Sequence, residues 1–423
     1  MLVSLVAPAS ASTPEAPARS AVLSPAPAPL TEAAAATPTR IVLTPGASTF
    51  ATQRVSWTTG SAMAGQRVQY RITGAASSAS VPAARRFATT VKNSGSAAPR
   101  YTALMTRLRP GTTYDYRILT GQGNSGWKSF RTGNPTAGVT LIGLGDTQVA
   151  NRKVPARTIR AALKRAPAAA AFLHAGDVVN KPTRDAEWAD WFAAMGAAAG
   201  SRNWLLAVGN HEHCILVTCK DSRAQAFRSY FTQTGNGWKN QGIWYYTDFA
   251  GARVVVLDTF GGRIAEQAKF LDAALARNRQ PFSIVVMHAP PFAARPKRSN
   301  PALAPLVKVM EKRRVDLVLT GHDHSYARGY RTANGTVYAT SNSGPKYYPT
   351  SNADWRRNRA TRRIHAAETS TFQVITIKGR SLSYTAVVSA KGRASSTKVP
   401  VGGVLDRVDI VKAPSGAKVV RGW

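Results

Sequence analysis

The sequence predicts an α/β domain preceded by a small all-β sandwich, and three observations carry that reading. Residues 39–133 alternate short strand-like runs with turn residues. Beyond Gly133-Asn134-Pro135, apolar strands alternate with helical segments instead. The strands of this second part are apolar almost throughout, as strands buried on both faces are. A chain of 423 residues, 44% of them hydrophobic, has room for both cores.

In chain order, residues 1–11 read as the remnant of a secretory signal, an apolar stretch reaching the small-x-small sequence Ala9-Ser10-Ala11. No basic region precedes it, so the start of the signal is expected upstream. Residues 12–38 are rich in Ala, Pro, Ser and Thr and read as a linker. In residues 39–133, Val55-Ser56-Trp57-Thr58 and Tyr114-Asp115-Tyr116-Arg117-Ile118 alternate with period two, and "LRPGTTYDYRI" turns at Pro110-Gly111 and returns as a strand. Trp57 and Tyr114 are expected in its core. Residues 138–390 hold the strands "VTLIGLG", "AAFLHAG", "NWLLAVG", "RVVVLDT", "SIVVMH" and "VDLVLTG". Helices are expected at 157–165, 185–199, 266–276 and 301–312, and "TFQVITIKG" and "SLSYTAVVSA" read as closing antiparallel strands. Residues 391–423 are basic, small and turn-rich and read as a tail. No segment has the ~18 consecutive apolar residues of a membrane span.

The 56 basic residues outnumber the 21 acidic ones, for a formal net charge of +35. Such a field attracts phosphate esters, anionic envelope polymers or nucleic acid. The basic residues are scattered and form no single arm, so no specific nucleic-acid partner is expected. The charge is either a solvated surface or a polyanion-binding one. Cys214 and Cys219 are too few for a zinc ribbon or an iron–sulfur cluster. In an exported chain they would close a short disulfide loop; the alternative is two buried thiols.

Ligand-type residues sit just past the carboxyl ends of five strands: Asp146; Asp177; Asn210-His211-Glu212; His288; and His322-Asp323-His324. That edge is where sites form in open α/β sheets. One such residue is explained as a helix cap; five with this many imidazoles are not. Carboxylate, amide oxygen and imidazole suit divalent metals, and one carboxylate can bridge two ions roughly 3.5–4 Å apart. The single residue between His322 and His324 would let both face one site if the segment is extended. His174 reads as a core residue and Asp258 as a cap or loop anchor. His213 either reaches the pocket or does not, and Tyr326 and Arg328 either contact substrate or pack on the histidine loop.

With "GDTQ" at 145–148, "GDVVN" at 176–180, "GNHE" at 209–212, "VVMH" at 285–288 and "GHDHSYAR" at 321–328, the chain resembles the calcineurin-like metallophosphoesterases, most closely the purple acid phosphatase branch. The segments "VSWTT" and "LRPGTTYDYRI" resemble that branch's fibronectin type III-like N-terminal domain. The likeness covers about residues 39–390. It implies a four-layer sandwich, two mixed sheets flanked by helices. It implies two metal ions (Fe, Zn or Mn), one on Asp146, Asp177 and His324, the other on Asp177, Asn210, His288 and His322. His211 would not ligate; it would contact the phosphate and protonate the leaving oxygen, while Glu212 orients the loop. The implied activity is that of a secreted phosphate monoesterase acting through a metal-bound hydroxide. A phosphodiesterase or nucleotidase on the same scaffold is the alternative, and a non-catalytic basic envelope-binding protein the more distant one. Three departures stand out. Asn180 occupies the place of the branch's iron-binding tyrosine. Gln148 stands where other branches have histidine, either completing the first metal or hydrogen-bonding behind it. The histidines that plant-type enzymes carry just after the counterpart of His288 are absent.

Overall fold

The structure is a computed structural model that describes residues 36–86, 98–213, 224–236 and 243–422. The signal remnant, most of the linker, and Cys214 and Cys219 lie outside the described residues.

Two sheets face each other. One runs, edge to edge, through Lys418–Arg421, Val404–Lys412, Ser381–Lys391, Thr369–Lys378, Val139–Leu144, Ala171–His174, Asn203–Leu206, Thr39–Pro45, Gln53–Thr58, Arg100–Met105 and Ala84–Arg86. The other runs through Tyr245–Phe249, Ala252–Val256, Phe282–Val286, Leu317–Thr320, Val337–Thr340, Tyr326–Tyr330 and Thr361–Ala366. Parallel pairs join the strands at the centre of each, and antiparallel pairs flank them. The central strands have both faces covered, which is why they are apolar at most positions. Leu141, Leu173 and Leu205 of the first sheet meet Val254, Ile284 and Leu317 of the second in one buried cluster.

Helices cover both outer faces. Val154–Arg165 and Asp185–Met195 pack on the first sheet through Ile159, Trp188 and Trp191, with the Trp191 ring edge-on to Trp204. Ile264–Ala276 and Ala304–Lys312 pack on the second through Leu271, Leu306 and Met310. The result is the four-layer order expected. The helix at 154–165 starts three residues earlier than its apolar pattern because Pro155 sits in its first turn, where a missing N–H costs nothing.

The N-terminal strands form a sandwich. Arg67–Ile72 and Thr113–Thr120 lie in its second sheet, and Trp57, Tyr101, Tyr114 and Phe130 are buried between the layers. The Tyr114 hydroxyl accepts the Arg109 N–H at 2.8 Å, so its polar end is satisfied. This unit is not a separate bead. Its strand Thr39–Pro45 pairs in parallel with Asn203–Leu206, and Gln53 donates to the Asn203 side chain at 2.8 Å across the junction.

The tail expectation fails. Val404–Lys412 and Lys418–Arg421 extend the first sheet, with Leu405, Val408, Ile410 and Val420 in the central core. Most basic residues of this stretch are exposed, and two are neutralised from within: Lys412 and the buried Lys418 both pair with the buried Asp316.

Candidate metal centre

The five ligand-bearing loops converge at the carboxyl ends of the central strands, and their backbones interlock. The Thr147 and Gln148 N–H groups donate to the Asp177 carbonyl, each at 3.0 Å. The His211 N–H donates to the Asp177 carboxylate at 3.0 Å, and the His322 N–H to the Asp146 carboxylate at 2.8 Å. Glu212 is wholly buried and accepts four backbone N–H groups. Oε2 takes those of Asp177 and Gly209 at 3.0 and 2.9 Å; Oε1 takes those of Val178 and Val179 at 2.8 and 3.1 Å. One carboxylate thereby fixes the Asp177 loop and the Asn210 loop together. The glycine before Asn210 is required by this closeness: a Cβ on Gly209 would lie 2.1 Å from Asp177 Oδ1.

Asp177, His322 and His324 all have positive φ, at 53°, 70° and 48°. The two histidines therefore do not face the site by strand alternation. Left-handed backbone turns each one inward, a conformation costly for these residues and typical of functional loops. As a result they serve different groups. Ligand atoms of Asp177, His288 and His322 lie within 4.8 Å of one another, as do those of Asp146, Asp177 and His324. Asp177 belongs to both. Asn210 Oδ1 lies 2.9 Å from His322 Nδ1 and 3.2 Å from His288 Nε2, so it joins the first group.

The donor chemistry fits metal ions. His288 Nδ1 donates to the Ala175 carbonyl at 2.6 Å, which leaves a lone pair on Nε2. That lone pair meets Asp177 Oδ2 and Asn210 Oδ1, each at 3.2 Å. Three acceptors around one point need a cation or a proton to hold them. Burial lowers the His288 pKa, but the charge and hydrogen bond of Asp177, with Asp146, outweigh it and raise it: the imidazole is driven to carry the compensating charge. Burial raises the pKa of Asp146, while in Asp177 the opposing effects of His288 and His211 win over burial and lower it. Burial pushes His322 and His324 down to about 3, which suits both imidazoles to act as neutral donors. Buried atoms without a protein partner cluster here too: Asn210 Nδ2, Gln148 Oε1 and His324 Nδ1.

Gln148 donates Nε2 to Asp177 Oδ2 at 3.1 Å and lies 3.3 Å from His324 Nε2, so it contacts both carboxylate and imidazole of the second group. His211 stands apart from both groups. Its Nδ1 donates to the Asn180 carbonyl at 2.7 Å, and Nε2 points inward, 3.8 Å from Asp177 Oδ2.

Residues 139–326 match the calcineurin-like phosphoesterase family, and residues 38–132 match the purple acid phosphatase N-terminal domain. The chain carries a calcineurin-like phosphoesterase domain behind a purple acid phosphatase N-terminal domain. Purple acid phosphatase 22 of Arabidopsis thaliana is 25% identical over 252 residues, 56% of each chain. The chain spans about half the length of the curated relatives it matches. The solved structure of the purple acid phosphatase PPD1 from yellow lupin (Lupinus luteus) superimposes with a TM-score of 0.76 at 16% identity, covering 90% of this chain and 75% of that one. The structure of PhoD superimposes at 0.62 and 13% identity, covering 93% of each. These two likenesses are of fold.

One residue beside the clustered ligand groups escaped the sequence reading. Phe260 packs on two of the clustered imidazoles, with ring centroids 5.5 Å from His288 and 5.1 Å from His322. Its loop is anchored by Asp258, which accepts the Phe260 and Gly261 N–H groups and pairs with His213 at 2.8 Å. His213 thus braces a wall of the pocket. Asp323, between the two histidines, turns away and accepts the Ala294 and Arg295 N–H groups. Tyr326 and Arg328 point away as well: both hydrogen-bond the buried Asp406, on the strand read as tail. His174 is a core residue, bonded to the Thr147 hydroxyl at 2.9 Å. Among the described residues no helix is long and apolar enough to cross a membrane.

Proposed function

We propose that this chain is an exported hydrolase of phosphate monoesters whose centre holds two metal ions. The observation that carries the reading is the pair of ligand groups sharing Asp177. Asp146, Asp177 and His324 would hold one ion, with Gln148 beside them; Asp177, Asn210, His288 and His322 would hold the other. When bound, such ions supply Lewis acidity, lowering the pKa of a water and drawing charge from the phosphoryl oxygens.

The chain's own residues do the rest. Glu212 holds the Asp177 and Asn210 loops at fixed separation, so the ligands need no reorganisation during reaction. Phe260 closes one side of the pocket against the imidazoles and limits solvent there. His211 keeps its Nδ1 proton on the Asn180 carbonyl, which aims Nε2 into the pocket. Protonated at Nε2, it gives that proton to the leaving oxygen of the ester as the P–O bond breaks. The apolar start and the Ala9-Ser10-Ala11 sequence support export.

The test is hydrolysis of nitrophenyl phosphate and of bis-nitrophenyl phosphate, before and after chelation and with metals restored. The reading predicts metal-dependent turnover that favours the monoester. Preference for the diester would make the chain a phosphodiesterase, and turnover that survives complete chelation would end the metal reading.

A further inference from the structure

Two cations stand beside the candidate metal centre. Arg295 lies on the loop that follows His288, and Lys346 on the loop that follows the strand Val337–Thr340. The Arg295 guanidinium carbon is 3.6 Å from the centroid of the Tyr348 ring, and Lys346 Nζ is 5.5 Å from the same centroid. That ring meets the His324 imidazole edge-on, with centroids 5.0 Å apart. Backbone bonds tie both loops to the histidine loop: Arg295 N–H donates to Asp323 Oδ2 at 3.2 Å, and Tyr348 N–H to the His324 carbonyl at 3.3 Å. The two charges are therefore held one aromatic ring away from a candidate metal ligand. All three side chains are half-buried, open to solvent on one side.

Two buried arginines of this chain are paired with carboxylates, Arg328 with Asp406 and Arg253 with Asp248. Among the described residues, neither Arg295 nor Lys346 has a carboxylate within ion-pair distance. Like charges gathered around one ring repel each other, and an anion between them would offset that cost. The planar guanidinium, steadied on the tyrosine face, presents its donor edge as phosphate recognition requires.

We propose that Arg295 and Lys346, seated on Tyr348, form a second anion subsite, and that the preferred substrate is a phosphate ester carrying a second phosphate beside the scissile one. The proposal rests on the monoesterase reading above. The scissile phosphate lies at the clustered ligands; its neighbour extends past His324 and is bound at Arg295 and Lys346 without being cleaved there.

The experiment uses the full chain loaded with metal and compares kcat/KM for an inositol monophosphate with that for the inositol bisphosphate bearing a vicinal second phosphate. Arg295→Gln and Lys346→Gln are compared with Lys378→Gln, which removes an equal charge from an exposed position elsewhere in the first sheet. The wild type is expected to favour the bisphosphate by about tenfold or more, beyond the roughly twofold statistical advantage of two cleavable groups. Each site substitution should lower that ratio by about three- to tenfold, and Lys378→Gln should leave it in place. A wild-type ratio near the statistical value, or one that persists in both site variants, overturns the subsite. If neither substrate turns over, the monoesterase reading has failed, and calorimetric titration with methylenediphosphonate and methylphosphonate decides the subsite separately. Selectivity for the diphosphonate that falls in both variants supports it; equal selectivity in all proteins overturns it.

Discussion

Replacing Glu212 by glutamine changes one oxygen into an NH2 group and little else in shape. In the native site each carboxylate oxygen accepts two backbone N–H groups, so the amide nitrogen must face two donors whichever way it is placed. Hydrogen bonds to charged groups are worth about 1.5–3 kcal/mol each, and orphaned buried donors cost ~1–3 kcal/mol. Burial, followed by the nearby Asp177, already raises the Glu212 pKa, so removing its charge returns part of that loss. A net destabilisation of about 2–4 kcal/mol follows. The damage is local as well as global. If the amide faces Asp177 and Gly209, the two loops that carry Asp177 and Asn210 part, and metal affinity falls with them. Urea denaturation of metal-free protein reads the first effect, and metal titration of folded protein reads the second. A variant with unchanged stability and unchanged metal affinity would refute the account of Glu212 as the clamp between these loops.

Three further expectations follow from the same geometry. Gly209→Ala places a Cβ 2.1 Å from Asp177 Oδ1, so it should reduce metal binding although it adds one methyl group, as elemental analysis of the folded variant will read. His211→Ala should keep metal content near that of wild type while hydrolysis falls by about 10²–10⁴-fold, with a larger loss for an alkyl phosphate than for a nitrophenyl phosphate; an equal loss for both would show that His211 is not the acid. With Asn180 in place of a phenolate ligand, the metal-loaded protein should show no strong visible tyrosinate–iron band. A purple sample would point instead to a tyrosine brought in from elsewhere, with Tyr348 beside His324 the first to replace by phenylalanine.

How much could be read in advance depended on the range of the interaction. Asp146, Asp177, Asn210, His288, His322 and His324 were visible because each follows an apolar strand directly, and strand direction alone carries them to one edge. The backbone that aims them was not visible: nothing in "GHDHS" announces that both histidines adopt left-handed conformations. The final strands were hidden by charge. Leu405, Val408 and Ile410 in "VLDRVDIVK" carry a core pattern, but the lysines and arginines around them resembled a solvated tail. Asp406 was invisible as the partner of Tyr326 and Arg328, which lie 80 and 78 residues earlier in the chain. Phe260, Tyr348, Arg295 and Lys346 come from loops with no periodicity, so their proximity is a product of tertiary structure alone. "LDTFGG" and "SGPKYYP" read as connections, and only the aromatic residues inside them hinted at a role.

The central claim is that one carboxylate serves two ions. The most direct measurement is metal stoichiometry, by elemental analysis of purified protein, in wild type and in Asp177→Ala, with monoester hydrolysis followed in the same samples. Asp177 belongs to both ligand groups. The account therefore predicts two ions per chain in the wild type, loss of both from high-affinity binding in the variant, and loss of hydrolysis with them. An Asp177→Ala protein that retains both ions and most of its activity would contradict it.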